Sequence, residues 1–261
     1  LALDNRMLMM GSGADLIASL NNISRQQVDQ IALQSQRRAA LARNQGYFKS
    51  IIPVYNPVKD CWVNEDECIR PELGPEDLAQ LKPYFAELGA TGVDALQLTE
   101  HPSLQAISHV HTAGNSPAMA DAASLVLLGD KSLQGQGLVP RARILAVTTL
   151  CNDPLQVVSG CAAATAKLLL DQGLTSADID LFELHEAFAA TSIKCQRDLD
   201  IGADRLNVNG GVIALGHPMG ATGGIMLGML IDELERRDLQ TGVVATSGAA
   251  GIGTALLIER I

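Results

Sequence analysis

The sequence predicts an α/β fold: a mixed β-sheet sandwiched by helices, with an irregular, loop-rich region in front of it. Three observations predict it. After about Leu138, short apolar runs alternate with helical patterns in the order βαβα-loop-αββ. The last two runs, Thr241 to Ser247 and Gly253 to Ile258, are joined only by the glycine-bearing turn after Ser247, which makes them neighbouring strands. Residues 56–118 are instead polar and broken by Pro57, Pro71, Pro75, Pro83, Pro102 and Pro117. That stretch is too long for a plain loop and reads as a layered insertion or lid.

Each element has a local reason. Ser24-Arg25-Gln26-Gln27 is a capping box, and Val28, Ile31, Ala32, Ala39 and Ala42 follow at helical spacing until Gly46. Ile51 to Tyr55 is a short strand interrupted by Pro53, and Pro75 to Phe85 a short helix. Ala122 to Leu128 is an apolar run. Arg143 to Thr148 is a strand, Pro154 to Asp171 a helix ending near Gly173, and Ile179 to Leu184 a strand. Glu186 to Leu199 is helical, Asn207 to Ile213 is glycine-rich and polar, and Gly220 to Arg237 is a long helix. Thr241 to Ser247 and Gly253 to Ile258 complete the sheet around Gly248-Ala249-Ala250-Gly251.

Composition excludes several classes. The 261 residues carry a net charge of −10, with 47% hydrophobic and 18% charged residues. That is a chain able to build a large core, not a disordered one. An acidic chain with scattered Lys and Arg is no nucleic-acid binder. No apolar run approaches the ~20 residues of a membrane span. Leu1-Ala2-Leu3-Asp4-Asn5-Arg6 has neither the basic nor the apolar region of a secretory leader, and reads as starting inside a longer polypeptide. The five cysteines, Cys61, Cys68, Cys151, Cys161 and Cys195, form no CxxC pair and fit reduced thiols in a cytoplasmic setting. His109-Val110-His111 has no third ligand at convincing spacing, so no metal is expected.

Three segments carry candidate chemistry. His185-Glu186-Ala187-Phe188 lies where a strand passes into a helix, at the sheet edge where α/β folds place ligands. Gly210-Gly211-Val212-Ile213-Ala214-Leu215-Gly216-His217-Pro218 presents a histidine on a glycine turn ahead of a helix, suited to polarise a carbonyl or deprotonate a thiol. No Gly-Lys-Ser/Thr follows, so it is not a phosphate loop. The third is Ser247-Gly248-Ala249-Ala250-Gly251.

In this order the three segments resemble the thiolase family, which makes or cleaves 3-oxoacyl-CoA by Claisen chemistry. Met10-Gly11, Ser24 to Asp29, Arg70-Pro71, Leu78 to Phe85 and Thr112-Ala113-Gly114-Asn115 agree with its earlier part. The resemblance implies a thiolase-like layered fold. Residues 1–118 would be the loop (lid) domain of the N-terminal half, 119–137 the end of that half's core and a linker, and 138–261 the C-terminal domain. It implies an acyl-CoA acyltransferase of fatty-acid metabolism, forming a homodimer or tetramer or meeting a nucleophile-bearing partner half. CoA would enter as a thioester substrate, with no other cofactor.

The resemblance also implies roles. His217 would build one oxyanion hole and activate a nucleophilic thiol, and His185 would hold the other through a water. Met10, Asn115 and Phe188 would line the substrate, and Gly248 to Gly251 would offer backbone N–H groups to the acyl group. Arg37, Arg38, Arg43 and Lys49 would face the CoA phosphates. Departures from the family pattern stand out. The family's nucleophilic Cys lies upstream of the segment starting at Met10, and none of the five cysteines has its context. Ser247 takes the place of the Cys that shuttles the α-proton, and a serine hydroxyl is a far weaker acid. Ala249 and Ala250 replace glycines, and Pro117 replaces a small residue beside the CoA arm. The alternative is a non-catalytic acyl-CoA-binding or partner subunit. Either way, the resemblance implies an apolar face that wants a cover.

Overall fold

Ser24 caps the longest helix by the expected reciprocal bonds: Gln27 N–H donates to Ser24 Oγ at 3.3 Å, and Ser24 N–H to Gln27 Oε1 at 2.9 Å. This is α2 (Arg25–Asn44) in a computed structural model that describes residues 8–133 and 137–261. The Leu1 to Arg6 leader reading, and residues 134–136 of the expected linker, lie outside the described residues.

A helix that the pattern did not announce precedes it, α1 (Met10–Leu20). Gly11 and Gly13 disguise it, because a Cβ on Gly11 would run into the Phe85 ring and one on Gly13 would lie 2.6 Å from Val157. The region that follows has a hairpin of β1 (Val54–Asn56) and β2 (Cys61–Val63), then α3 (Pro75–Ala79), α4 (Ala86–Leu88) and α5 (Asp94–Glu100). The expected helix to Phe85 stops at Ala79, since Pro83 lacks the N–H that would continue it.

The second half builds a four-stranded sheet from β3 (Ala142–Cys151), β4 (Leu181–Leu184), β5 (Thr241–Ser247) and β6 (Ile252–Arg260). Its order is β3-β6-β5-β4. β4 runs parallel to β5 and the other pairs are antiparallel, so the sheet is mixed as expected. Strand alternation sorts the two faces. Phe182, Val243 and Leu257 meet α6 (Gly160–Asp171) and α7 (Ala189–Leu199). Leu181, Val244 and Ile258 meet α9 (Thr222–Arg237).

Two helices begin later than the sequence suggests. Pro154–Gln156 forms only a 3₁₀ turn, and Val157 then takes a left-handed φ of 49° before α6 begins at Gly160. Phe188 is extended, so Glu186 to Phe188 form the bend into α7. α7 is the shared wall of the molecule. Its other side packs with α1, α2, Leu78 and Val110 in a separate core that joins the loop-rich region to the sheet.

Apolar surface remains open. Leu125 is 95% exposed, and the run around it pairs with no strand among the described residues. Edge strand β3 also exposes Ile144, Leu145 and Val147.

Candidate active site

Parallel pairing of β4 and β5 brings their carboxyl ends together, which fixes the site. Leu184 lies opposite Ala245, and His185 N–H donates to Ala245 O at 2.9 Å. His185 therefore emerges beside Ser247: its Nδ1 lies 3.2 Å from Ser247 O and 3.4 Å from Ser247 N.

His217 reaches the same place from the glycine loop. The short helix α8 (Val212–Leu215) ends at Gly216, whose φ of 89° is left-handed. A Cβ there would lie 2.8 Å from Ala120 Cβ, so glycine is needed for both reasons. His217 N–H donates to Ala118 O at 2.8 Å. Its Nδ1 bonds Thr222 Oγ1 at 2.7 Å, which leaves Nε2 for a ligand. The two imidazoles stack at an incline of 42°, centroids 4.7 Å apart.

The electrostatics favour neutral rings. Burial, with the His217 charge as a second cause, brings the His185 pKa down to about 4. Burial also lowers His217. His185 Nε2 is buried and has no hydrogen-bond partner among the described residues, so it is available to one.

Ser247 Oγ is already engaged, accepting Cys161 N–H at 2.9 Å from the first turn of α6. That donor and Thr222 are the site partners that motif reading overlooked. Thr222 sits five residues after His217 in the same glycine-rich segment, which was the available signal. Cys161 gave none, because its contribution is a backbone N–H. Ala250 holds a left-handed φ of 57° in the turn, where glycine is favoured.

The remaining candidate residues have these partners. Gly248 N–H donates to Ile252 O and Gly251 N–H to Val157 O, both at 2.7 Å. Asn115 is fully buried: Nδ2 donates to Asp29 and Val110 O, and Oδ1 accepts Thr112 N–H. These bonds hold the loop that precedes it. Phe188 is a core residue, edge-on to Phe85 and His111. Arg38 donates to the backbone carbonyls of Ala203, Leu206 and Asn207. Arg43 faces Glu65 at 4.0 Å within an open cleft of about 180 Å³. Arg37 and Lys49 are exposed, and Met10 is half-exposed at the start of α1. His109 and His111 do not form a pair for a third party. Both grip the buried Asp15, His109 through Nδ1 at 2.9 Å and His111 through Nδ1 at 2.7 Å.

Residues 2–100 match the thiolase N-terminal domain, and residues 138–260 match the thiolase C-terminal domain. The chain belongs to the thiolase family. The 3-ketoacyl-CoA thiolase of Serratia proteamaculans is 39% identical over 97% of the chain, and that of Aeromonas hydrophila 38% over the same share. The chain spans 62% of the length of each. Among solved structures, Bacillus anthracis acetyl-CoA acetyltransferase superposes with a TM-score of 0.83 at 33% identity, covering 97% of this chain and 60% of that one. Human mitochondrial 3-ketoacyl-CoA thiolase in complex with CoA gives 0.84 at 30% identity, covering 99% and 60%. The thiolase fold is thus shared across nearly the whole chain. No helix among the described residues is long and apolar enough to cross a membrane.

Proposed function

We propose that this thiolase-family chain binds an acyl-CoA thioester and holds its carbonyl oxygen between His185 and His217. The observation that carries the reading is the open, buried Nε2 of His185 beside the His217 ring. His185 Nδ1 is held against the Ser247 backbone, 3.2 Å from its O and 3.4 Å from its N, so Nε2 is the ring atom left to meet a water or the substrate. His217, with Nδ1 committed to Thr222, offers Nε2 to a thiol or a second oxygen. Two neutral imidazoles suit this task, since they stabilise developing oxyanions by hydrogen bonding at neutral pH.

Acyl transfer on 3-oxoacyl-CoA follows when a nucleophilic thiol joins this pair, from another part of the same polypeptide or from a nucleophile-bearing partner half. Ser247 weakens the Claisen step, because its hydroxyl is a poor acid and already accepts a hydrogen bond from Cys161 N–H. That engagement favours a second reading, an acyl-CoA-binding partner subunit in a homodimer or tetramer. The unpaired cysteines fit a cytoplasmic setting.

Calorimetric titration tests both. The chain is expected to bind acetyl-CoA, with affinity falling about tenfold or more in His185→Ala and His217→Ala while free CoA binding changes little. Equal affinities of all three proteins for acetyl-CoA would sink the reading. Turnover of acetoacetyl-CoA that depends on His217 separates enzyme from binding subunit.

A further inference from the structure

Glu186 follows His185 directly, and its carboxylate is buried where the end of β4 meets α2 and the glycine loop. Oε2 accepts from Ser35 Oγ at 2.8 Å and from Ile213 N–H at 3.2 Å. Oε1 accepts from Asn207 Nδ2 at 3.4 Å. Ser35 Oγ in turn accepts Gly211 N–H at 2.9 Å. Asn207 is pinned to β4, donating to Leu184 O and accepting Leu184 N–H, both at 2.8 Å. A Cβ on Gly211 would run into the Glu186 carboxylate, and one on Gly210 would lie 2.6 Å from Ser35 O. The loop is thus pressed onto the acid and tied to it by hydrogen bonds from two directions.

We propose that Glu186 is a positioning residue, which fastens the glycine loop to the strand end bearing His185 and so sets the separation of the His185 and His217 rings. Only three residues separate Ile213 from His217, and the end of α8 and the left-handed Gly216 leave little slack. Burial raises the Glu186 carboxyl above its ordinary value, and the bonds from Ser35, Ile213 and Asn207 work against that rise. Its acceptor geometry needs only an oxygen at Oε2, so a carboxamide keeps the two stronger ties. The functional meaning of this spacing rests on the acyl-CoA reading above, while the spacing itself does not.

Histidine-selective NMR of the full 261-residue chain tests it. Wild type, Glu186→Gln, Glu186→Ala and Ser35→Ala are each first checked for folding by circular dichroism. Glu186→Gln is expected to leave the His185 midpoint near its wild-type position. Glu186→Ala is expected to raise it by about one unit or more, as the rings part and water enters. Ser35→Ala, which cuts the Gly211 tie and keeps the acid, shifts it the same way by less. Unmoved His185 and His217 midpoints in folded Glu186→Ala overturn the proposal. So do equal shifts in the Gln and Ala variants, since charge rather than the ties would then be at work. If Glu186→Ala does not fold, Ser35→Ala decides alone. Acetyl-CoA titration of the wild type is scored separately: absent binding sinks the functional reading, and the NMR midpoints still judge the positioning.

Discussion

His109 bridges two carboxylates, with Nδ1 2.9 Å from Asp15 and Nε2 3.0 Å from Asp94. It ties the loop before Asn115 to both α1 and α5. The Asp15 hydrogen bond is the main cause that raises its pKa from 6.5 to about 8. A group whose folded-state value is raised stabilises the fold below its unfolded value and loses that contribution as pH climbs. Stability is therefore expected to fall as pH rises from about 6.5 through about 8. His109→Gln should flatten that limb of a plot of urea midpoint against pH.

His185 gives the opposite limb. It stays neutral because burial lowers its pKa from 6.5 to about 4. The unfolded chain takes up this proton first as pH drops. Its contribution, on the order of 3 kcal/mol, is present above about 6.5 and lost as pH falls through about 4. His185→Asn should remove the acid-side loss. An acid limb unchanged in this variant would contradict the buried neutral ring.

Ser247→Cys is expected to restore exchange of the acetyl-CoA α-protons with deuterated water. A thiol near ordinary acidity can carry the proton where a serine hydroxyl cannot, and positioned acid–base groups contribute on the order of 10²-fold or more. Mass spectrometry of recovered acetyl-CoA reads the label. Equal incorporation by the wild type and the variant would show that residue 247 does not govern proton transfer.

Arg38→Ala should destabilise the fold by about 2–4 kcal/mol and leave CoA affinity unchanged. The guanidinium satisfies three backbone carbonyls and is the cation beside the buried Glu183 and Glu186. Arg37→Ala, at an exposed position, should do almost nothing to stability. Chemical denaturation of the two variants and calorimetry with CoA separate the roles.

Two small residues near Ser247 should respond in opposite directions. Ala250 holds a left-handed φ of 57°, so Ala250→Gly relieves strain and should raise stability by up to about 1 kcal/mol. Gly160 abuts the Ile252 and Gly253 backbone, so Gly160→Ala forces α6 off β6. That change should cost about 2–4 kcal/mol and disturb the Cys161 N–H bond to Ser247. Thermal denaturation checks both signs.

The mixed sheet, the capping box and the two histidines were legible because their signals are local: short apolar runs between helical patterns, a four-residue cap, and glycines flanking His217. The misread residues have partners far away in sequence. Arg38 bonds Ala203, 165 positions on, and Asn115 bonds Asp29, 86 positions back. His109 has its Asp15 partner 94 residues upstream. Helix α1 was hidden for a related reason, since Gly11 and Gly13 answer to Phe85 and Val157 rather than to helix propensity.

The segment carrying the exposed Leu125 is fixed to the site at two points. Met119 bridges to His217, and Ser124 Oγ donates to Ala221 O at 2.9 Å. Leu125, one residue beyond Ser124, is the most exposed large apolar side chain among the described residues. The side chain most open to other molecules is thus carried on the same stretch of chain as the two contacts that hold the His217 loop.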